Sequence, residues 1–193
     1  MREGKSAPTR VFNVPKLNER FVEVPLALAV TRRYRGKRVL EVGNVLGHYA
    51  RRWWACIDRY ERAQGVLNVD VLAWKPRDLF DLIVSVSTFE HVRYDEPERV
   101  PGATVVAIER CVTWLVPGGL LLATLPIGYN AESDLMLARD ALEGASVRYM
   151  RRVALPNRWG ACSKGEALGL AYDFGFPRAN AIAIVEIARK VGK

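Results

Sequence analysis

The run RVLEVGNVLGHYA, residues 38–50, constrains the chain more than any other stretch. Val39, Leu40 and Val42 read as a short buried strand that carries one acid, Glu41, and then turns through Gly43 and Gly47. A residue without a Cβ reaches positive φ at no steric cost, and its bare backbone lets a ligand approach closely. A strand that turns through glycines into a helix aims the first amides of that helix at whatever binds there. Residues 46–54 are therefore predicted as a short helix, and the turn as a nucleotide-binding device. It is not a dinucleotide fingerprint: G-x-G-x-x-G needs a spacing that Gly43-Asn-Val-Leu-Gly47 does not offer.

Apolar runs with the look of strands recur along the chain, at residues 55–58, 65–70, 81–87, 119–126, 146–153 and 181–188. Between them lie segments with helical spacing. Leu17, Phe21, Val24 and Leu28 predict a helix over residues 18–33, with Asn18 as its N-cap and Pro25 kinking or dividing it. Val105, Ile108, Val112 and Leu115 predict another over 103–115, stopped by Pro117-Gly-Gly, and residues 134–142 a third. Residues 156–160 and 172–178, rich in Gly, Pro and aromatics, read as irregular. Alternating strands and helices in 193 residues imply one α/β domain.

Charge is unevenly placed. Residues 1–38 carry ten Lys or Arg against three Glu, a net +7, whereas the whole chain is +8. A basic arm steers a protein toward nucleic acid or another anion, and is equally the signature of a solvated terminus. No aromatic-interleaved basic motif accompanies it, so a nucleic-acid partner is open but not favoured. Cys56, Cys111 and Cys162 are odd in number and far apart, which suits reduced thiols in a cytoplasmic protein. The first residues lack an apolar h-region, and the longest uncharged run, 111–130, is broken by Pro117, Gly118, Gly119 and Pro126, so neither a secretory signal nor a membrane span is expected.

Glu41 two residues before Gly43, followed by Gly47, resembles the E/D-x-G-x-G-x-G loop of class I S-adenosylmethionine (SAM) methyltransferases, with Val45 in place of the middle glycine. The resemblance extends to acids at the ends of the next two expected strands (Asp58 and Asp70), to Asp81-Leu-Ile followed by Glu90-His91-Val92, and to Leu115-Val-Pro-Gly-Gly-Leu ending at Pro126. It implies a seven-stranded, mostly parallel sheet with helices on both faces and the last strand antiparallel. Residues 1–37 would then be a basic arm and a covering helix on a single domain spanning residues 1–193.

The resemblance also implies a site. SAM would lie along Glu41, Gly43, Asn44, Gly47, His48 and Ser87. Asp58 would take the ribose hydroxyls, with Glu61 as runner-up, Asp70 the adenine amino group and the Val71 amide a ring nitrogen. SAM carries its methyl already activated, so the protein has mainly to hold donor and acceptor in line, and to remove a proton where the acceptor is a hydroxyl. Of the two histidines, His91 is the expected base, because imidazole suits that work near neutral pH, and Glu90 is expected to orient it or the acceptor. Tyr129, Asn130 and Trp159, with Arg158 and Tyr172, are candidates for the acceptor pocket. Ser87 stands where metal-binding relatives have a further glutamate, which leaves too few ligands, so no metal is expected. The favoured reaction is O-methylation of a small or saccharide-like acceptor. RNA methylation is the alternative suggested by the basic arm, and a catalytically inactive binding subunit the one suggested by Val45. The oligomeric state is not legible.

Overall fold

The computed structural model describes residues 18–154 and 157–191, so the basic arm before Asn18 lies outside the described residues. Seven strands form one sheet: β1 (Val39–Val42), β2 (Ala55–Ile57), β3 (Phe80–Val86), β4 (Leu115–Pro126), β5 (Ala145–Ala154), β6 (Arg158–Cys162) and β7 (Ala181–Ala188). Their order across the sheet is β2-β1-β3-β4-β7-β5-β6. The first four are mutually parallel, β7 is antiparallel to both β4 and β5, and β6 closes the edge as a hairpin with β5. Five strands therefore share one direction, and β6 and β7 oppose it.

Both faces are covered, which is why the central strands are apolar without alternation. On one face, α1 (Arg20–Arg33) lays Val24, Ala27 and Leu28 over Val39, Leu82, Val84 and Ile184. On the other, α2 (Ala103–Thr113), α3 (Ala131–Ala138) and α4 (Lys164–Leu168) cover Leu40, Ile83, Leu121, Ala183 and Val185. Successive residues of β7 alternate between the two cores, as the two-residue period of a strand requires.

Several expected elements are corrected. The segment 65–70 is not a strand: it makes one parallel bridge, Ile57 to Leu67, and then leaves the sheet. Asn68 holds it off by donating from its side-chain amide to the carbonyls of Asp58 and Glu61. Residues 46–54 are not a helix but a 3₁₀ turn, Leu46–His48, followed by coil. Arg52 turns back to Asn44 and to the carbonyl of Gln64, and the buried Trp54 indole reaches under the turn to Glu41, a path closed to a continuing helix. Pro25 neither ends nor divides α1, which starts at Arg20 so that the proline sits within its first turns. Asn18 accepts the Arg20 amide but lies one residue before the capping position, held by Glu19. Asn130, not Asp134, starts α3, its side chain accepting from the amides of Glu132 and Ser133. Leu115 belongs to β4 instead of α2, and residues 158–160 are part of β6.

Candidate active site

The carboxyl ends of β1, β2 and β3 open onto a cleft of about 330 Å³. A second, smaller chamber of about 170 Å³ lies between the N-terminus of α1 and the segment after β4. Ser87 and His91 line both, so the two cavities meet at the turn that follows β3.

The cleft is built on the glycine turn. Gly43 has φ +84°, and a Cβ there would overlap the Thr88 side chain, so the bare backbone is demanded by β3's turn as much as by any ligand. Val45, in place of the family's middle glycine, has φ −82° and ψ −51°, an ordinary right-handed conformation, and packs against the α1-side core. That position asks nothing of glycine. Gly47 is kept small by Asn44, whose side-chain oxygen occupies the space a Cβ would need.

Gly43, Asn44, His48, Asp58, Val71, Ser87 and His91 line the cleft. Asp58 sits at its rim with one oxygen accepting from the amides of Tyr60 and Glu61 (2.8 and 2.7 Å) and the other from the Asn44 amide (3.2 Å). A carboxylate offers about four lone-pair sites, which leaves one on the Asn44 side for a further donor. Glu61 also lines the cleft, 2.8 Å from His48 Nε2.

Glu41, Gly47 and Asp70 do not line it. Glu41 is wholly buried beneath the turn, accepting from the Leu46 amide at 2.5 Å and from Trp54 Nε1 at 2.7 Å, and burial pushes its pKa up to about 7. Asp70 caps its own turn through the Leu72 amide and is held by Arg59 and Arg93, which also pair with Glu96. With both guanidiniums on it, Asp70 is not presented to an adenine. Between these groups Ile57, Val69, Val71 and Val92 make an apolar slot, with Arg59, Tyr60 and Glu96 also lining the cleft; Arg59 and Tyr60 carry no sequence pattern that would single them out.

The turn after β3 holds the histidine that lines both cavities. Ser87 has φ +39° and Arg93 φ +57°, left-handed conformations that side chains rarely adopt, bracketing the 3₁₀ turn Phe89–His91. His91 Nδ1 lies 2.5 Å from Asp95 Oδ2, and the Asp95 carboxylate also accepts from the Tyr129 hydroxyl at 2.8 Å. The Tyr129 ring stands 4.7 Å from the imidazole. An ionised Asp95 places the imidazole proton on Nδ1, leaving the Nε2 lone pair as an acceptor. Nε2 is 3.5 Å from Glu90 Oε1.

Glu90 is fully buried, and among the described residues neither carboxyl oxygen has a hydrogen-bond partner. Burial holds its pKa well above the usual carboxylate range, with the nearby Glu23 adding to the effect. It lines the second chamber together with Tyr129 and Tyr172. Asn130 is buried behind it, donating from Nδ2 to the Glu90 carbonyl while capping α3, and does not reach the chamber. Trp159 is also elsewhere: on β6, its indole donates to Asn157 and its ring lies against Arg152.

The chamber's far wall is α1, unforeseen as a functional element beyond covering the sheet. Glu19 and Arg20 line it, and the buried Glu23 pairs with Arg20. The sequence pattern hid it: Leu17, Phe21, Val24 and Leu28 mark the opposite side of the helix, yet Phe21 is exposed and Glu23 is buried.

No protein-family model matches the chain, and no curated protein matches it in sequence. Solved structures do match in shape. A SAM-dependent methyltransferase from Thermotoga maritima, described as a possible histamine N-methyltransferase, superposes with a TM-score of 0.51 at 16% identity, over 89% of this chain and 91% of that one. TehB from Haemophilus influenzae superposes with the same score at 15% identity, over 86% of this chain and 62% of its own. The fold is thus that of the class I SAM-dependent methyltransferases.

Proposed function

We propose that the chain is a SAM-dependent methyltransferase that O-methylates a small acceptor, with His91 as the base. The observation that carries this reading is the position of His91, fixed by Asp95 and lining both cavities at once. SAM would occupy the cleft. Its about 330 Å³ falls at the lower end of the range typical of cofactor sites, roughly 300–1,000 Å³. The donor set suits the group: Asp58 for a ribose diol, the Ile57, Val69 and Val71 slot for a flat base, and the turn at Gly43–Val45 for the amino-acid end. SAM supplies a methyl on sulfonium, so the chain needs no nucleophile of its own. The chamber would hold the acceptor with its hydroxyl toward His91 Nε2. The imidazole accepts the hydroxyl proton as the oxygen attacks, and Asp95 stabilises the charge that develops on the ring.

The small size of the chamber supports a small molecule over a polymer, and the basic arm that would favour RNA lies outside the described residues. The test is turnover of labelled SAM against fractionated metabolites and against RNA. His91→Ala is expected to lower turnover by roughly 10²–10⁴-fold with SAM affinity nearly unchanged. Normal turnover in His91→Ala would remove the base from the reaction.

A further inference from the structure

Glu19 and Glu90 line the smaller chamber, Glu23 is bonded to its lining residues Ser87 and Arg20, and all three carboxyl groups are buried. Two of them are engaged. Glu23 is 3.1 Å from Arg20 Nη1 and accepts from the Ser87 hydroxyl at 2.5 Å. Glu19 accepts from the Ala179 amide at 3.3 Å. The positive groups in reach are committed as well: Arg20 also donates to the Val86 carbonyl, and Arg178 bonds the Tyr172 hydroxyl. Glu90 is left over. Its two oxygens are buried and unpartnered among the described residues, and the residue lines the chamber together with His91, Tyr129 and Tyr172. A buried carboxyl without donors is destabilising unless it is protonated or a ligand brings donors to it.

We infer that Glu90 is the binding site for an ammonium group on the acceptor, next to the hydroxyl that His91 serves. The 3.5 Å between His91 Nε2 and Glu90 Oε1 sets the two groups on neighbouring carbons, so the substrate class is a vicinal amino alcohol, such as an amino-bearing saccharide ring. An ammonium offers several donors to the two carboxyl oxygens and a charge that draws Glu90 into its ionised form, which a hydroxyl cannot do. The aromatic faces of Tyr129 and Tyr172 add a favourable quadrupole for a cation. The inference rests on the proposed function only for placing the reacting hydroxyl at His91.

The experiment is calorimetry on the full chain with trans-2-aminocyclohexanol and with trans-cyclohexane-1,2-diol, which differ in one ammonium for one hydroxyl. Each is titrated with and without S-adenosylhomocysteine, whose own binding is measured separately. The amine is expected to bind roughly 10–100-fold tighter than the diol, and Glu90→Gln to erase that preference. Titration of the wild type across pH, in two buffers of different ionisation heat, is expected to show protons released on binding the amine and none on binding the diol, a readout that needs no variant. Equal affinities, no binding of either probe, a preference that survives Glu90→Gln, or no proton release with the amine would each overturn the ammonium site. A preference found in a chain with no affinity for S-adenosylhomocysteine would support the ammonium site and count against the methyltransferase reading instead.

Discussion

Adjacent strands β1 and β3 each run into a 3₁₀ turn, and each turn is accompanied by a glutamate with no solvent exposure, Glu41 in the strand before the first and Glu90 within the second. Burial raises the pKa of both. Glu41 has two donors on it, the Leu46 amide and the Trp54 indole, and so spends its carboxylate inside the fold, fixing the shape of the turn. Glu90 has none from the described residues and lines the chamber. The same residue type at equivalent burial is a structural strut in one turn and an uncommitted group in the other. What separates them is the count of donors around each, which burial alone does not report.

The largest expected effect follows from removing the strut. Glu41→Ala leaves two buried donors without an acceptor and should destabilise the fold by roughly 2–5 kcal/mol in urea unfolding. A loss under about 1 kcal/mol would show that water replaces the carboxylate there. The pH dependence comes next. Between the ordinary carboxylate value and about pH 7 the native state holds a proton on Glu41 that the unfolded chain has released, so stability falls as pH rises through that window. The fall due to this group should be on the order of 3 kcal/mol. Glu41→Gln should flatten that part of the stability profile, and an unchanged slope would assign it to other groups.

A smaller difference is expected between the backbones of the two turns. Gly43→Ala forces a Cβ into Thr88 at positive φ and should cost roughly 1–3 kcal/mol, whereas Ser87→Gly relieves positive φ while losing the bond to Glu23, and should fall within about 1 kcal/mol of wild type. Comparable losses from both would break the distinction. Smallest of all is Glu90→Gln, which breaks no hydrogen bond among the described residues; measured in acid, where both side chains are uncharged, it should shift stability by about 1 kcal/mol or less. A loss as large as that at Glu41 would make Glu90 a second strut.

The same contrast explains what could be read from the residues. Local patterns carried β1, β3, β7 and α2 because an apolar run or a helical stripe needs few partners to be recognised, and Ala181–Ala188 matches its expected bounds. The strand expected at 65–70 failed because its fate depended on Asn68, a side chain that captures backbone carbonyls two segments away. The helix expected at 46–54 failed for a similar reason, since Arg52 and Trp54 have their partners across the loop. Gly43, Asp58 and His91, expected at the site from the resemblance, line the cleft. Glu41 was read as a cofactor contact because spacing cannot say that an indole thirteen residues on will take its oxygen. The chamber was invisible for the same cause: it is assembled from the start of α1, the turn after β3, the segment after β4 and the stretch 172–178, four stretches apart in the chain.

The central claim is that the cleft beside the first turn takes SAM, and calorimetry with SAM on the wild-type chain tests it most directly. The account predicts saturable binding at one site per chain, weakened by roughly 1–3 kcal/mol in Asp58→Asn, with the variant's folding checked by unfolding. A wild-type chain that shows no affinity for SAM would contradict it.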